Sequence, residues 1–163
     1  MAVQRLDASR FGFPSRCFVC DPTNEQGLRV PFFEDADERC VFADFELPEA
    51  FSGAPTLVHG GATLALVDEA MSWATIALAG RFAYTGETTA RFEWPVRVGR
   101  PYRVEARVAD ADDRRLLTEA VVLDAKRRPC VRASATMLIL DAAQAADAVG
   151  QTVEGDDQAY LRE

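Results

Sequence analysis

The chain has 163 residues, enough for one ordinary domain with a core that needs no covalent staples. Apolar residues make up 48% and charged residues 27%, the balance of a globular protein rather than a disordered one. With 18 basic residues against 26 acidic ones, the net charge of −8 excludes a general nucleic-acid binder, which needs a basic face.

No apolar run lies between Met1 and Arg10, so no signal peptide is expected. Leu28, Val30 and Phe32 alternate, with Pro31 marking the segment as an edge or lead-in. A cleaner strand is predicted from Cys40 to Leu47, where Val41, Ala43, Phe45 and Leu47 share one face. Pro48 to Val58, with two prolines, Ser52 and Gly53, reads as loop. One helix follows, opened by Gly60-Gly61 and closed by Gly80. Leu64, Leu66, Val67, Met71, Trp73, Ile76 and Leu78 cover every side of it, so it must be buried on nearly all sides. Asp68 and Glu69 in its middle would be very costly in hydrocarbon, which excludes a membrane span.

Strands joined by short turns make up most of the remainder. Ala90, Phe92 and Trp94 alternate with Thr89, Arg91 and Glu93; Tyr102, Val104, Ala106 and Val108 alternate with Arg103, Glu105 and Arg107. Further strands are predicted through Leu117 to Leu123 and Val131 to Ile139, and such short connections make neighbours antiparallel. After Asp141 the chain is acidic and Ala-rich, read as a loose helix or a disordered tail. The expected class is α+β in a single domain over 1–163, with its core at about 17–140 and an acidic tail over 141–163. An antiparallel sheet curling around one apolar helix leaves a flank open, and homodimerisation is the ordinary remedy.

The chemistry concentrates in His59-Gly60-Gly61-Ala62-Thr63-Leu64-Ala65-Leu66-Val67-Asp68-Glu69. Glycines at a helix start expose backbone N–H groups where the dipole favours an anion. An acid two turns further in is expensive unless satisfied, either by an ion-pair network or by a catalytic role. Asp68 and Glu69 point about 100° apart, so one site cannot use both.

These residues resemble the hotdog-fold thioesterase superfamily, specifically the acyl-CoA thioesterases of the phenylacetate-pathway type. The likeness rests on His59-Gly60-Gly61 with an acid nine positions after the His, on Phe51-Ser52-Gly53-Ala54-Pro55, and on Phe92-Glu93-Trp94-Pro95-Val96-Arg97-Val98-Gly99. Cys17-Phe18-Val19-Cys20, Pro22, Asn24 and Gly27-Leu28 match a lead-in of one branch, so the resemblance spans about Cys17 to Leu140. It implies a hotdog fold, a curved antiparallel sheet around one long central helix, in a homodimer or a dimer of dimers. It implies a hydrolase that splits acyl-CoA to a carboxylic acid and coenzyme A without a cofactor, metal, membrane or nucleic acid. Asp68 is then general base or nucleophile. The Gly60 N–H stabilises the oxyanion, and His59 orients the loop or holds substrate. Thr85 positions water or thioester from the other subunit. Gly61, Met71, Trp73 and Phe92 are expected beside the substrate.

Arg97 and Arg100 read as grips for coenzyme A phosphates or as solvated surface arginines. The Asn or Gln that commonly precedes the His in this family is missing; Gly53 stands there, with Ser52 as the polar candidate. That departure keeps open a non-catalytic module binding an acyl-CoA or a hydrophobic metabolite. A hydratase or dehydratase of the same fold pairs such an Asp with a His a few residues on, and the lack of any His after Asp68 argues against that reading. Cys17, Cys20, Cys40 and Cys130 read as free thiols in a reducing, cytoplasmic compartment rather than as a zinc site, for which Cys17-x-x-Cys20 supplies too few ligands.

Overall fold

The computed structural model describes residues 3–151. Seven strands form one sheet: β1 (Val3–Leu6), β2 (Phe32–Asp35), β3 (Cys40–Phe45), β4 (Ala83–Phe92), β5 (Tyr102–Ala111), β6 (Arg115–Asp124) and β7 (Pro129–Ile139). Their order is β1-β2-β3-β5-β6-β7-β4, with every neighbouring pair antiparallel. The helix α1 (Gly60–Ala77) packs chiefly against β5 and β6, with β3 and β4 beside them.

Alternation explains the sheet. On β5, Tyr102, Val104 and Ala106 are buried, and on β6 Leu116, Thr118, Ala120 and Val122 are buried. All of these but Thr118 meet Leu66, Val67, Ala70, Met71 and Ala74 of α1 in one hydrophobic cluster that also takes in Leu6 and Phe11. Each large side chain fully buried there stabilises the fold by about 1.5–3 kcal/mol.

The predicted helix is present, and Gly80 beyond it takes a left-handed φ of 63° with its N–H on the Ile76 carbonyl. It is not enclosed all round. Gly61 is exposed and Leu64 is 36% exposed, so one strip of α1 lacks cover. Residues 28–31 are not strand; Leu28 and Val30 are buried, and their amides bond the carbonyls of Phe18 and Val19. The strand expected from Thr89 begins instead at Ala83. Beyond Asp141, which caps it, lies α2 (Ala142–Val149), closed by Gly150; the acidic tail from residue 152 on falls outside the described residues. No helix among the described residues is long and apolar enough to cross a membrane.

Candidate active site

His59 is the N-cap of α1, and its Nδ1 accepts the Gly61 N–H at 2.9 Å. Its own N–H donates to the Phe51 carbonyl, and its carbonyl accepts from Ala62 and Thr63. The imidazole therefore holds the helix start together, and its Nδ1 is occupied. The Gly61 amide is consumed in the same contact. Among the described residues the Gly60 N–H has no acceptor. It is left at the positive end of an 18-residue helix.

Two turns along, Asp68 is half-buried and its Oδ1 accepts from the Thr85 hydroxyl at 2.6 Å. A hydroxyl, rather than a guanidinium, thus satisfies this acid. The contact corrects the expectation that Thr85 would act from the other subunit: it faces Asp68 within the same chain. The cause is a β-bulge. Thr85 pairs with Met137, but Glu87 pairs with Thr136, leaving Gly86 as the extra residue. A Cβ on Gly86 would lie 3.0 Å from the Leu138 side chain and 3.2 Å from the Thr136 carbonyl oxygen, so the bulge accommodates glycine best. Through it Thr85 and Thr88, three apart, both sit opposite residues on the helix-facing side of β7, Met137 and Ala135.

Met71 is a second correction. It is fully buried in the core and presents no surface to a substrate, because it lies on the side of α1 turned to the sheet. Trp73 is likewise buried, its ring 5.6 Å from that of Phe11. Phe92, by contrast, is 46% exposed, and it lines a cavity of about 300 Å3 with Leu57, Gly60, Thr63, Trp94 and Val96. The buried Thr63 hydroxyl there has no partner among the described residues.

Trp94 continues toward a basic cleft. The Arg128 guanidinium stacks 4.4 Å above its ring while bonding Asp124 at 3.0 Å. Arg100, Lys126 and Arg128 line an adjoining cavity of about 540 Å3. Arg97 is exposed, and its backbone N–H donates to the Tyr102 hydroxyl at 3.0 Å, tying its loop to β5. Sequence reasoning named Arg100 but missed Lys126 and Arg128, whose turn between β6 and β7 only the fold brings near. Ser52 forms an isolated bridge with Val58, and Gly53 backs the His59 ring.

Glu69 faces elsewhere. The Cys17 thiol donates to its Oε1 at 3.3 Å, and the donor atoms of Cys17, Cys20 and Glu69 all lie within 4.8 Å of one another. Burial pushes the Glu69 carboxyl up to about 8. A hydrogen bond from Cys20 holds the Cys17 thiol below its usual range, and the same bond, with burial, raises Cys20. This trio is the grouping among the described residues able to hold a metal ion.

The sequence profile of the Thioesterase superfamily matches residues 56–131, a stretch running from the loop before α1 into β7. Among solved structures, a thioesterase superfamily protein superposes with a TM-score of 0.67 at 23% identity, covering 72% of this chain. This chain spans only 57% of that protein's length. A Streptococcus mutans protein bound to acetyl CoA gives a TM-score of 0.59 at 17% identity, over 62% of this chain and 81% of its own. The Escherichia coli PaaI protein from the phenylacetic acid degradation operon gives 0.59 at 15% identity, over 63% and 73%. No curated protein matches the sequence significantly. The helix-on-sheet fold is common to these structures, and the profile match, which runs through the His59-Gly60-Gly61 turn to the first residues of β7, makes this central stretch similar to the Thioesterase superfamily.

Proposed function

We propose that the protein hydrolyses acyl-coenzyme A thioesters at two equivalent sites of a homodimer, each using Asp68 and Thr85 of one subunit and Gly60 of the other. The observation that carries this reading is an unspent Gly60 amide eight residues from an aspartate held by a hydroxyl. Eight residues of α-helix rise about 12 Å. An attacking atom and an oxyanion donor must each sit about 3 Å from the same carbonyl group. Gly60 and Asp68 of one chain are therefore too far apart to serve one thioester. A two-fold axis that runs two α1 helices antiparallel brings Gly60 of the partner subunit beside Asp68. The uncovered strip at Gly61 and Leu64 and the edge strand β4 are the surfaces available for that pairing.

With Oδ1 occupied by Thr85, Oδ2 of Asp68 is the oxygen left to take a proton from water. The water oxygen bonds to the carbonyl carbon, and the partner's Gly60 N–H stabilises the oxyanion. Collapse breaks the C–S bond, returns the proton to the sulfur and releases acid and coenzyme A. The apolar cavity at Phe92 and Trp94 suits the pantetheine arm or acyl group, and the Arg100, Lys126 and Arg128 cleft suits the nucleotide phosphates. Related folds support the ligand class: a Streptococcus pneumoniae hypothetical thioesterase has been solved with coenzyme A, and as variants in which an Asp or a Thr is replaced by Ala. The same two residue types meet here as Asp68 and Thr85.

Thiol release from short-chain, long-chain and aromatic acyl-CoA esters tests the reading. Asp68→Asn is expected to lower kcat by about 10²–10⁴-fold in a folded protein; unchanged turnover would reject Asp68 as the base. The Gly53 that replaces the family's usual amide gives weight to a second reading, a binding module. Tight acyl-CoA binding with no hydrolysis across the panel would establish that one instead.

A further inference from the structure

We propose that Cys17, Cys20 and Glu69 form a metal site suited to Zn2+, which clamps the 17–30 loop onto a face of α1 about 100° round from Asp68. The ligands come from positions 52 residues apart in the chain, yet their donor atoms fall within 4.8 Å of one another. Tetrahedral zinc with ordinary Zn–S and Zn–O bonds sets its ligand atoms about 3.6–3.8 Å apart. The observed Cys17 Sγ to Glu69 Oε1 distance of 3.3 Å needs only a slight opening to reach that spacing.

The turn itself supplies an independent argument. The backbone N–H groups of Val19 and Cys20 both point at Cys17 Sγ, at 3.3 and 3.5 Å. Two amides aimed at one sulfur stabilise a thiolate, the form that binds metal. The turn is fixed from behind: the Asp21 amide bonds the Cys17 carbonyl, and the amides of Leu28 and Val30 bond the carbonyls of Phe18 and Val19. Gly27 permits this close approach, since a Cβ there would lie 2.4 Å from the Phe18 carbonyl oxygen. The loop thus presents both sulfurs toward α1 before any ion arrives.

The donor set selects the ion. Two thiolates disfavour Mg2+ and Ca2+, and a carboxylate disfavours Cu(I), whereas Zn2+ accepts both kinds. A disulfide between Cys17 and Cys20 would leave Glu69 partly buried without a cation, while zinc uses all three groups. Binding displaces the two thiol protons to solvent, and water completes the fourth position.

Co2+ reports the site directly. Reduced, metal-stripped full-length protein titrated with Co2+ should take up one ion per chain, with thiolate-to-cobalt charge-transfer absorption and the intense visible bands of a tetrahedral complex. Zn2+ should bleach both. Cys17→Ser and Cys20→Ser should each diminish the charge-transfer band, and the double variant should abolish it. Glu69→Gln, nearly isosteric, should weaken Co2+ affinity at least tenfold while the remaining thiolate absorption persists at saturation. Absence of the band in reduced wild-type protein, its survival in the double variant, or unaltered affinity in Glu69→Gln would overturn the proposal. Should the cysteine variants fail to fold, the wild-type and Glu69→Gln titrations still decide it.

Discussion

Replacing Gly60 by proline isolates the proposed oxyanion donor with little structural disturbance. Gly60 is the first residue of α1, a position where proline is well tolerated because the helix asks for no N–H there. His59 before it has φ −59° and ψ 133°, within the range a pre-proline residue prefers. The nearest heavy atom to a Cβ at Gly60 is Phe92 Cζ at 3.8 Å, an ordinary contact. Since the amide has no partner among the described residues, its removal forfeits no hydrogen bond of the fold. Stability should change by no more than about 1 kcal/mol. Loss of the donor should raise the barrier by about 2.7–4 kcal/mol, or roughly 10²–10³-fold in kcat. Gly60→Ala keeps the amide and should remain active. Thiol-release kinetics and thermal melts on the three proteins suffice as the assay. A folded Gly60→Pro enzyme within about threefold of wild-type kcat would refute the role given to this amide. Mixing tests the two-subunit geometry. In a heterodimer of Gly60→Pro with Asp68→Asn chains, one of the two sites has both groups intact. Random pairing of the two inactive proteins should therefore restore about a quarter of wild-type activity. No restoration after confirmed subunit exchange would place both groups in one chain's site or reject the dimeric arrangement.

Thr85→Val removes only the hydroxyl that donates to Asp68. It should lower kcat about 10- to 100-fold with KM little changed, given the strength of hydrogen bonds to charged groups. Thr85→Ser should restore most of the rate; failure of that rescue would make Thr85 a packing residue rather than a positioning one. Arg100→Glu and Lys126→Glu should each raise KM for acyl-CoA several-fold, more at low salt than at high. The same variants should leave thioesters of N-acetylcysteamine, which carry no nucleotide, unaffected. Equal losses on both substrate types would remove the cleft from coenzyme A recognition.

How much of this was readable in advance follows from the range of each physical signal. The helix declared itself because an apolar run between glycines has few other solutions, and β5 to β7 because alternation runs through most of their buried faces, with register shifts only at Val108/Asp110 and Val122/Leu123. The beginning of β4 was hidden by Gly86: one inserted residue resets the period of two, so Thr85 and Thr88 share a face that no simple alternation assigns them. Asp68 stood out by its cost in an oily segment. Its partner did not, since Thr85 reaches it through the register of β4 on β7 rather than through spacing along the helix. Four-residue β1 offered too short a pattern to separate from loop. Met71 was misplaced because residues three apart on a helix are near neighbours, yet Asp68 is half-buried while Met71 lies wholly in the core.

The two adjacent acids illustrate how one helix divides its duties. A turn of about 100° separates Asp68 from Glu69, enough to aim one at the β4 hydroxyl and the other at the Cys17 and Cys20 turn. On the proposed mechanism axial rise imposes a second constraint: about 12 Å between Gly60 and Asp68 prevents a single copy from closing on one carbonyl. The same rigidity makes two copies sufficient, because a two-fold operation that puts one Gly60 beside one Asp68 must create the reciprocal pair as well. On the proposed mechanism, rotation along α1 assigns the acids to different tasks, while translation along it calls for a second subunit. A carboxylate moved to any position facing the Cys17 turn would keep its chain position near Gly60 and still lose the hydroxyl of Thr85. Catalysis on this reading depends on the azimuth of Asp68 as much as on its distance from the helix start.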